Sequence, residues 1–324
     1  MTRLRLTMAL AHYDRHVPFF DGTVKPEELD LTVLDVGQSS PSRHGENRHE
    51  RMIRDGEFDV AEVSLSSYLM AKDQGFPLTA IPVFPRRLFS QSLIYCHADS
   101  PIHAPRDLMG KKVGLNSFQT TLSVLAKGDL QEEYEVPWPK IRWYTAKEET
   151  LPFAPQAGAV IEPIPEGRRI GEMVAQGELD AIIVPHPPRS VLEGKGVRRL
   201  FADPKQETLR YFKKNGYYPI MHVVALKAEL AMRHGWVPGV LLEAFERVWA
   251  ISTEYYDDPN WSRLAWARHL VEEERALLGR DPWPNGVARN RANLERFIRY
   301  SHDQGLIKAP MSVESLFVET TLDT

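Results

Sequence analysis

Residues 57–96, EFDVAEVSLSSYLMAKDQGFPLTAIPVFPRRLFSQSLIYC, carry the reading that decides the fold. The run alternates between short apolar segments and polar corners. It predicts a strand over 58–63, a turn into a helix at 64–67, helix over 68–73 and strand over 79–84. A Pro-Arg-Arg corner and another strand over 92–96 follow. A strand that turns into a helix presents hydroxyls and unpaired backbone N–H groups to an anion. Ser64, Ser66 and Ser67 sit at such a corner, and Arg86 and Arg87 stand at the next strand end. Together they predict a site for a carboxylate-bearing molecule.

The stretch has an echo further along. Residues 52–60, MIRDGEFDV, and 173–181, MVAQGELDA, share the frame M-x-x-x-G-E-[FL]-D-[VA]. Each copy reads as a helix end, a glycine cap and the start of an apolar strand. Each strand then meets a polar corner, Ser-Leu-Ser-Ser at 64–67 and Pro-His-Pro-Pro-Arg at 185–189. Two copies are too few and too distant for a solenoid. They predict two similar α/β lobes facing each other.

A chain of 324 residues has room for two ordinary domains. Apolar content of 43% and charged content of 26% belong to a globular protein. The net charge of −4 gives no general attraction to nucleic acid or anionic membranes. Cys96 is the single cysteine, which excludes an internal disulfide and a cysteine-based zinc site. No apolar run approaches the about 18 residues that span a bilayer. The N-terminus, MTRLRLTMALA, alternates like a first strand and lacks a signal-peptide core, so the expected location is the cytoplasm. A homo-oligomer stays open.

In chain order, residues 4–10 predict a strand whose end loop carries His12, Asp14, Arg15 and His16. Loops at the carboxyl ends of strands are where open α/β sheets hold ligands. His12 and His16 stand four apart, but the segment does not read as a helix, and no metal site is assigned. Residues 31–36 read as a second strand; His44 and His49, in the polar connection after it, read as exposed. A second strand-to-helix corner carries Asn116, Ser117, Gln119 and Thr120 before a helix over 122–128. A strand over 181–184 ends at His186 and Arg189. His222 lies in an apolar run, 217–226, read as one long strand; a core histidine and a cleft histidine are both open readings. The later chain is mostly helical, with Trp249, Trp261 and Trp266 assigned to the core. The predicted architecture has a first lobe of 1–94 plus 222–324 and a second of 95–221, hinged about a cleft.

The layout resembles the type II periplasmic-binding-protein fold, and the motifs resemble the 4,5-dihydroxyphthalate decarboxylase family. The matching segments are Tyr13-Asp14-Arg15, EFDVAEVSLSSY at 57–68, IPVFP at 81–85 with Arg87, GYYPIMHVV at 216–224, Asn290, and QGLI at 304–307. Two corners depart from the family text: Phe-Ser-Gln-Ser at 89–92, where it has Phe-Arg-His-Ser, and Gly-Leu-Asn-Ser-Phe-Gln at 114–119, where it has Gly-x-x-Glu-Tyr-Gln. Both fall at corners expected to face the cleft. The resemblance implies a cofactor-independent enzyme that removes one carboxylate from a hydroxylated aromatic dicarboxylate. Arginine forks suit the retained carboxylate, with Arg87 and Arg15 as anchors. Histidine suits the proton transfers, with His12, His186 and His222 as candidates whose acid and base roles stay open. A non-catalytic solute-binding protein or sensor, and a lyase on a related aromatic acid, are the alternatives.

Overall fold

The apolar runs become the strands of two mixed sheets. A computed structural model describes residues 3–37, 47–156 and 158–324. The strands are β1 (Leu4–Leu10), β2 (Leu29–Asp35), β3 (Val60–Ser64), β4 (Leu78–Ile81), β5 (Ile94–His97), β6 (Lys112–Leu115), β7 (Arg142–Thr145), β8 (Val160–Pro163), β9 (Ala181–Ile183), β10 (Val197–Arg199) and β11 (His222–Lys227). The first unit comprises Met1–Arg87, His222–Leu294 and Met311–Thr324; the second comprises Leu88–Met221 and Glu295–Pro310.

The first sheet has the order β2-β1-β3-β11-β4 and the second β10-β5-β9-β6-β7-β8. Leaving aside the edge strand β8, both follow one plan. Two parallel strands and a third, parallel to the first, are followed by an antiparallel strand that enters from the other unit's segment of chain. The sequence echo marks equivalent places in that plan. The helix Arg48–Ile53 leads through Gly56 to β3, and the helix Ile170–Ala175 leads through Gly177 to β9. Both glycines have positive φ, 58° and 74°, the left-handed cap that the repeated Gly provides without a Cβ clash.

β3 is buried on both faces, as a central strand between β1 and β11 must be. Leu6, Met8 and Leu10 of β1, Val60 of β3, and Val224 and Leu226 of β11 pack with Val237, Leu241, Phe245 and Val248 of the helix Val237–Tyr255. In the second unit, Tyr95, Ile182 and Val197 pack on Ile170, Met173 and Val174.

Several expectations need correction. The expected long strand 217–226 begins only at His222. The edge strand β8 ends on Pro163, tolerated there because that position needs no further donor. The helix expected to stop at residue 128 runs from Thr121 to Tyr134. Trp249 packs on the first core, but Trp261 and Trp266 are 43% and 75% exposed. They precede the helix Ala267–Leu278, which buries none of its residues.

Residues 295–310 were read as part of the first lobe and belong to the second unit. Packing explains the transfer. Gln304 donates to the Val124 carbonyl at 2.9 Å, Arg296 pairs with Glu132 and Glu133, and Tyr300 lies against Gly128. A Cβ at Gly128 would overlap the Tyr300 ring. Alanine in a helix interior normally gains about 1 kcal/mol over glycine. Gly128→Ala is expected to do the opposite and cost about 1–3 kcal/mol through overpacking, read from urea unfolding.

Candidate functional site

Three strand ends meet at one edge of the first sheet. β1 and β3 run parallel and finish there, and antiparallel β11 starts there with His222 opposite Ser64. Side chains alternate along a strand, so Val60, Glu62 and Ser64 share a face with His222 and Val224. Val60 and Val224 enter the apolar core on that face. Glu62 is a carboxylate in the same row, with no solvent exposure.

One cation and two hydrogen-bond donors hold Glu62. Arg48 Nη2 lies 3.1 Å from Oε2 in an ion pair buried on both sides. The Ala11 N–H donates to Oε2 at 3.2 Å, and His222 Nδ1 to Oε1 at 2.5 Å. Arg48 also donates to the carbonyls of Glu62 and Val36, which ties the helix Arg48–Ile53 to the sheet. Burial by itself would raise this carboxyl, but Arg48 and the His222 hydrogen bond outweigh it and hold Glu62 well below the usual carboxylate range.

An ionised carboxylate accepts only, so the His222 proton facing it is on Nδ1 and Nε2 remains an acceptor. Burial lowers His222 to about 4 against the pull of Glu62, so the ring is neutral at pH 7. His49 meets it edge to face at 4.9 Å and accepts the Ser64 N–H on Nδ1 at 3.1 Å. Burial, then the neighbouring His222 and Arg48, push His49 well below its ordinary value. His16 is fully buried, donates from Nδ1 to the Ala11 carbonyl at 2.8 Å, and is lowered to about 4, chiefly by burial. The Tyr13 phenol is raised by burial and by Glu62. Arg86 is half-buried, and its carbonyl accepts the His222 N–H at 3.2 Å. Its charge acts to lower Tyr13, His49 and His222.

The expected site residues divide sharply. Tyr13, Ser64, Arg86 and His222 lie in this cluster, with Ser66 and Ser67 buried in the first turn of the helix Leu65–Asp73 behind it. His12 does not join it: the ring is exposed, stacks on Phe20 and faces Asp35 at 3.3 Å. Arg87, expected as an anchor, is 1% exposed and donates to the Pro284 carbonyl at 2.7 Å and to Asn290 at 2.6 Å, a structural tie. Arg15 donates to the Pro85 carbonyl at 2.6 Å and lies over the rings of Tyr13 and Trp283, while Asp14 accepts from Tyr256.

His186 and Arg189 are exposed in the second unit, with Arg189 paired to Glu193 at 2.6 Å. The corner at 116–120 is filled from within. Glu149 accepts the N–H groups of Phe118 and Gln119 at 2.6 and 3.1 Å, the Gln119 side chain binds Leu151, and Thr120 binds Ser117 and Ser123. Asn116 is half-buried, its carbonyl accepting from Ala146 and Lys147. The two corners that depart from the family text are buried rather than open. Ser90 and Gln91 donate to Asp129, whose carboxyl burial raises to about 7, and Phe118 lies over Lys127.

Glu62, Arg48 and His49 were not among the expected site residues, and His49, read as exposed, is 9% exposed. Signals for them existed. An acid within an apolar central strand requires a buried partner. Arg48 and His49 stand four residues before Met52 and Ile53, on the buried face of their helix. His44 lies outside the described residues. Among the described residues, no group of three His, Cys, Asp or Glu side chains is placed to hold a metal ion.

The sheet order and strand-end site define a two-unit α/β protein with the fold of periplasmic solute-binding proteins. The aliphatic sulphonate binding protein SsuA of Escherichia coli superposes with a TM-score of 0.60 at 13% identity, covering 100% of both chains. The alkanesulfonate-binding protein SsuA of Xanthomonas axonopodis pv. citri gives 0.54 at 15%, covering 99% of both. An NMT1/THI5-like family model matches residues 34–131. A 4,5-dihydroxyphthalate decarboxylase of Comamonas testosteroni is 31% identical over 334 residues, covering 100% of this chain and 99% of the relative. One from Pseudomonas putida is 30% identical over 225 residues, covering 67% and 84%. The chain belongs to the 4,5-dihydroxyphthalate decarboxylase family.

The three buried histidines set a pH limit on the fold. Unfolded, each takes up a proton near pH 6.5; folded, His16 and His222 do so only at about 4, and His49 is also held low. Below about pH 6.5 the unfolded chain binds more protons than the folded one. The contribution of these residues is therefore complete above that pH and is lost as pH falls toward 4. Urea midpoints measured from pH 7.5 to 4.5 should fall steadily through this window.

Proposed function

We propose that the chain is a cofactor-independent decarboxylase of a hydroxylated aromatic dicarboxylate such as 4,5-dihydroxyphthalate, releasing CO2 and protocatechuate. The observation that carries the reading is the buried Glu62–His222 pair beside Arg86, in a chain aligned end to end with a relative named for that reaction.

The chemistry asks little of a protein. A ring hydroxyl para to the departing carboxylate supplies the electrons. Its proton passes to a base, the ring carbon takes up a proton from solvent, the C–C bond breaks as the ring regains aromaticity and CO2 leaves, and the base returns its proton to the aryloxide. His222 Nε2 is the base, and Glu62 fixes the tautomer and balances the imidazolium, as a carboxylate does in other histidine-based sites. Arg86 is the anchor for the retained carboxylate, in place of Arg87. The dianionic ligand opposes the cationic lowering of His222 and makes it a stronger base when bound.

Purified, chelator-treated protein should convert 4,5-dihydroxyphthalate to protocatechuate with matching CO2 release; tight binding with no turnover would instead support a solute-binding role, the role named for the structural neighbours. A panel of related hydroxylated acids separates a lyase with another substrate. His222→Asn keeps a donor toward Glu62 and removes the base, so kcat should fall about 10²–10⁴-fold. Arg86→Ala should raise KM more than it lowers kcat. In the wild type, kcat/KM should hold from pH 7 to 5 and fall with a midpoint near 4, the value of free His222. Initial rates that recover on return to pH 7 distinguish this titration from unfolding.

A further inference from the structure

His49 is 9% exposed, and its Nε2 meets no hydrogen-bond partner among the described residues. The other ring nitrogen is accounted for. Nδ1 accepts the Ser64 N–H, which a protonated Nδ1 does not do. The proton of the neutral ring is therefore on Nε2, a buried donor without an acceptor, and such a group calls for an explanation. The neighbouring ring, 4.9 Å away, has the opposite polarity: His222 donates from Nδ1 to Glu62 and presents Nε2 as an acceptor.

A donor beside an acceptor selects the chemistry of its ligand. A carboxylate can only accept, whereas a hydroxyl both gives and accepts a hydrogen bond. We propose that His49 Nε2–H is the hydrogen-bond donor to a ring-hydroxyl oxygen of the ligand, working with His222 Nε2 as acceptor of the hydroxyl proton. This rests on the decarboxylase reading for the identity of the ligand. When His222 takes the proton, the O–H bond breaks, an N–H bond forms and the electron pair stays on oxygen. His49 keeps its own proton and stabilises the aryloxide as a neutral donor. Burial, which lowers both rings, keeps the pair neutral before the ligand arrives.

Two substitutions separate this role from a structural one. His49→Asn retains an acceptor for the Ser64 N–H and removes the Nε2 donor; His49→Gln retains a donor near the Nε2 position and removes the internal acceptor. Calorimetric titration with 4,5-dihydroxyphthalate and with phthalate, which lacks the hydroxyls, gives the readout. His49→Asn should weaken dihydroxyphthalate binding about tenfold and leave phthalate unchanged, and His49→Gln should keep the preference for the dihydroxy compound. The reverse pattern, an equal loss on both ligands, or no change in His49→Asn overturns the proposal. Long-range 15N–1H correlation on the wild type is independent of how the variants fold. It should show Nε2–H on His49 and Nδ1–H on His222, and the other tautomer on His49 also overturns the proposal. Wild-type binding with no turnover removes the decarboxylase reading alone, while binding of neither compound removes both.

Discussion

The carboxylate of Glu62 is the constraint on which the strand ends of the first unit's sheet depend. A charge placed among valines in a central strand costs several kcal/mol of desolvation, and is kept only where geometry returns it. Arg48, the Ala11 N–H and His222 return it here, and they arrive from a helix, the loop after β1 and the start of β11. One ionised group therefore ties together pieces of chain far apart in sequence. Removing Arg48 would leave the buried charge unmatched, so the same contacts specify the edge and hold it.

That arrangement also determines protonation. Glu62 puts the His222 proton on Nδ1, and the Ser64 N–H puts the His49 proton on Nε2. Neither tautomer is a property of histidine; each follows from what Nδ1 touches. Burial then keeps both rings neutral where free histidine would begin to titrate. The fold shared with sulphonate-binding proteins supplies the strand ends, while the chemistry belongs to the side chains placed there.

Much of the scaffold was legible in the sequence because it rests on local pattern. Alternation located β1, and the repeated M-x-x-x-G-E-x-D frame located the caps before β3 and β9. Polar side chains were harder, because residue type alone does not say whether a group faces a ligand or another residue. Arg86 and Arg87 are neighbours of identical chemistry, yet one borders the histidine pair and the other is consumed by Asn290 and a carbonyl. The serine- and threonine-rich corner at 116–120 looked open to an anion, and the protein's own Glu149 fills it.

By itself the sequence determined the α/β class, the duplicated plan, the strand ends at which polar residues gather and the family motifs, all of which depend on spacing along the chain. Tertiary structure alone decided which polar groups meet. The strand β11 inserts antiparallel beside β3, and only that pairing brings His222 to Glu62, 160 positions apart. The physical reason is that a buried charge finds its partners through space, while sequence periodicity reports only which face of an element is covered.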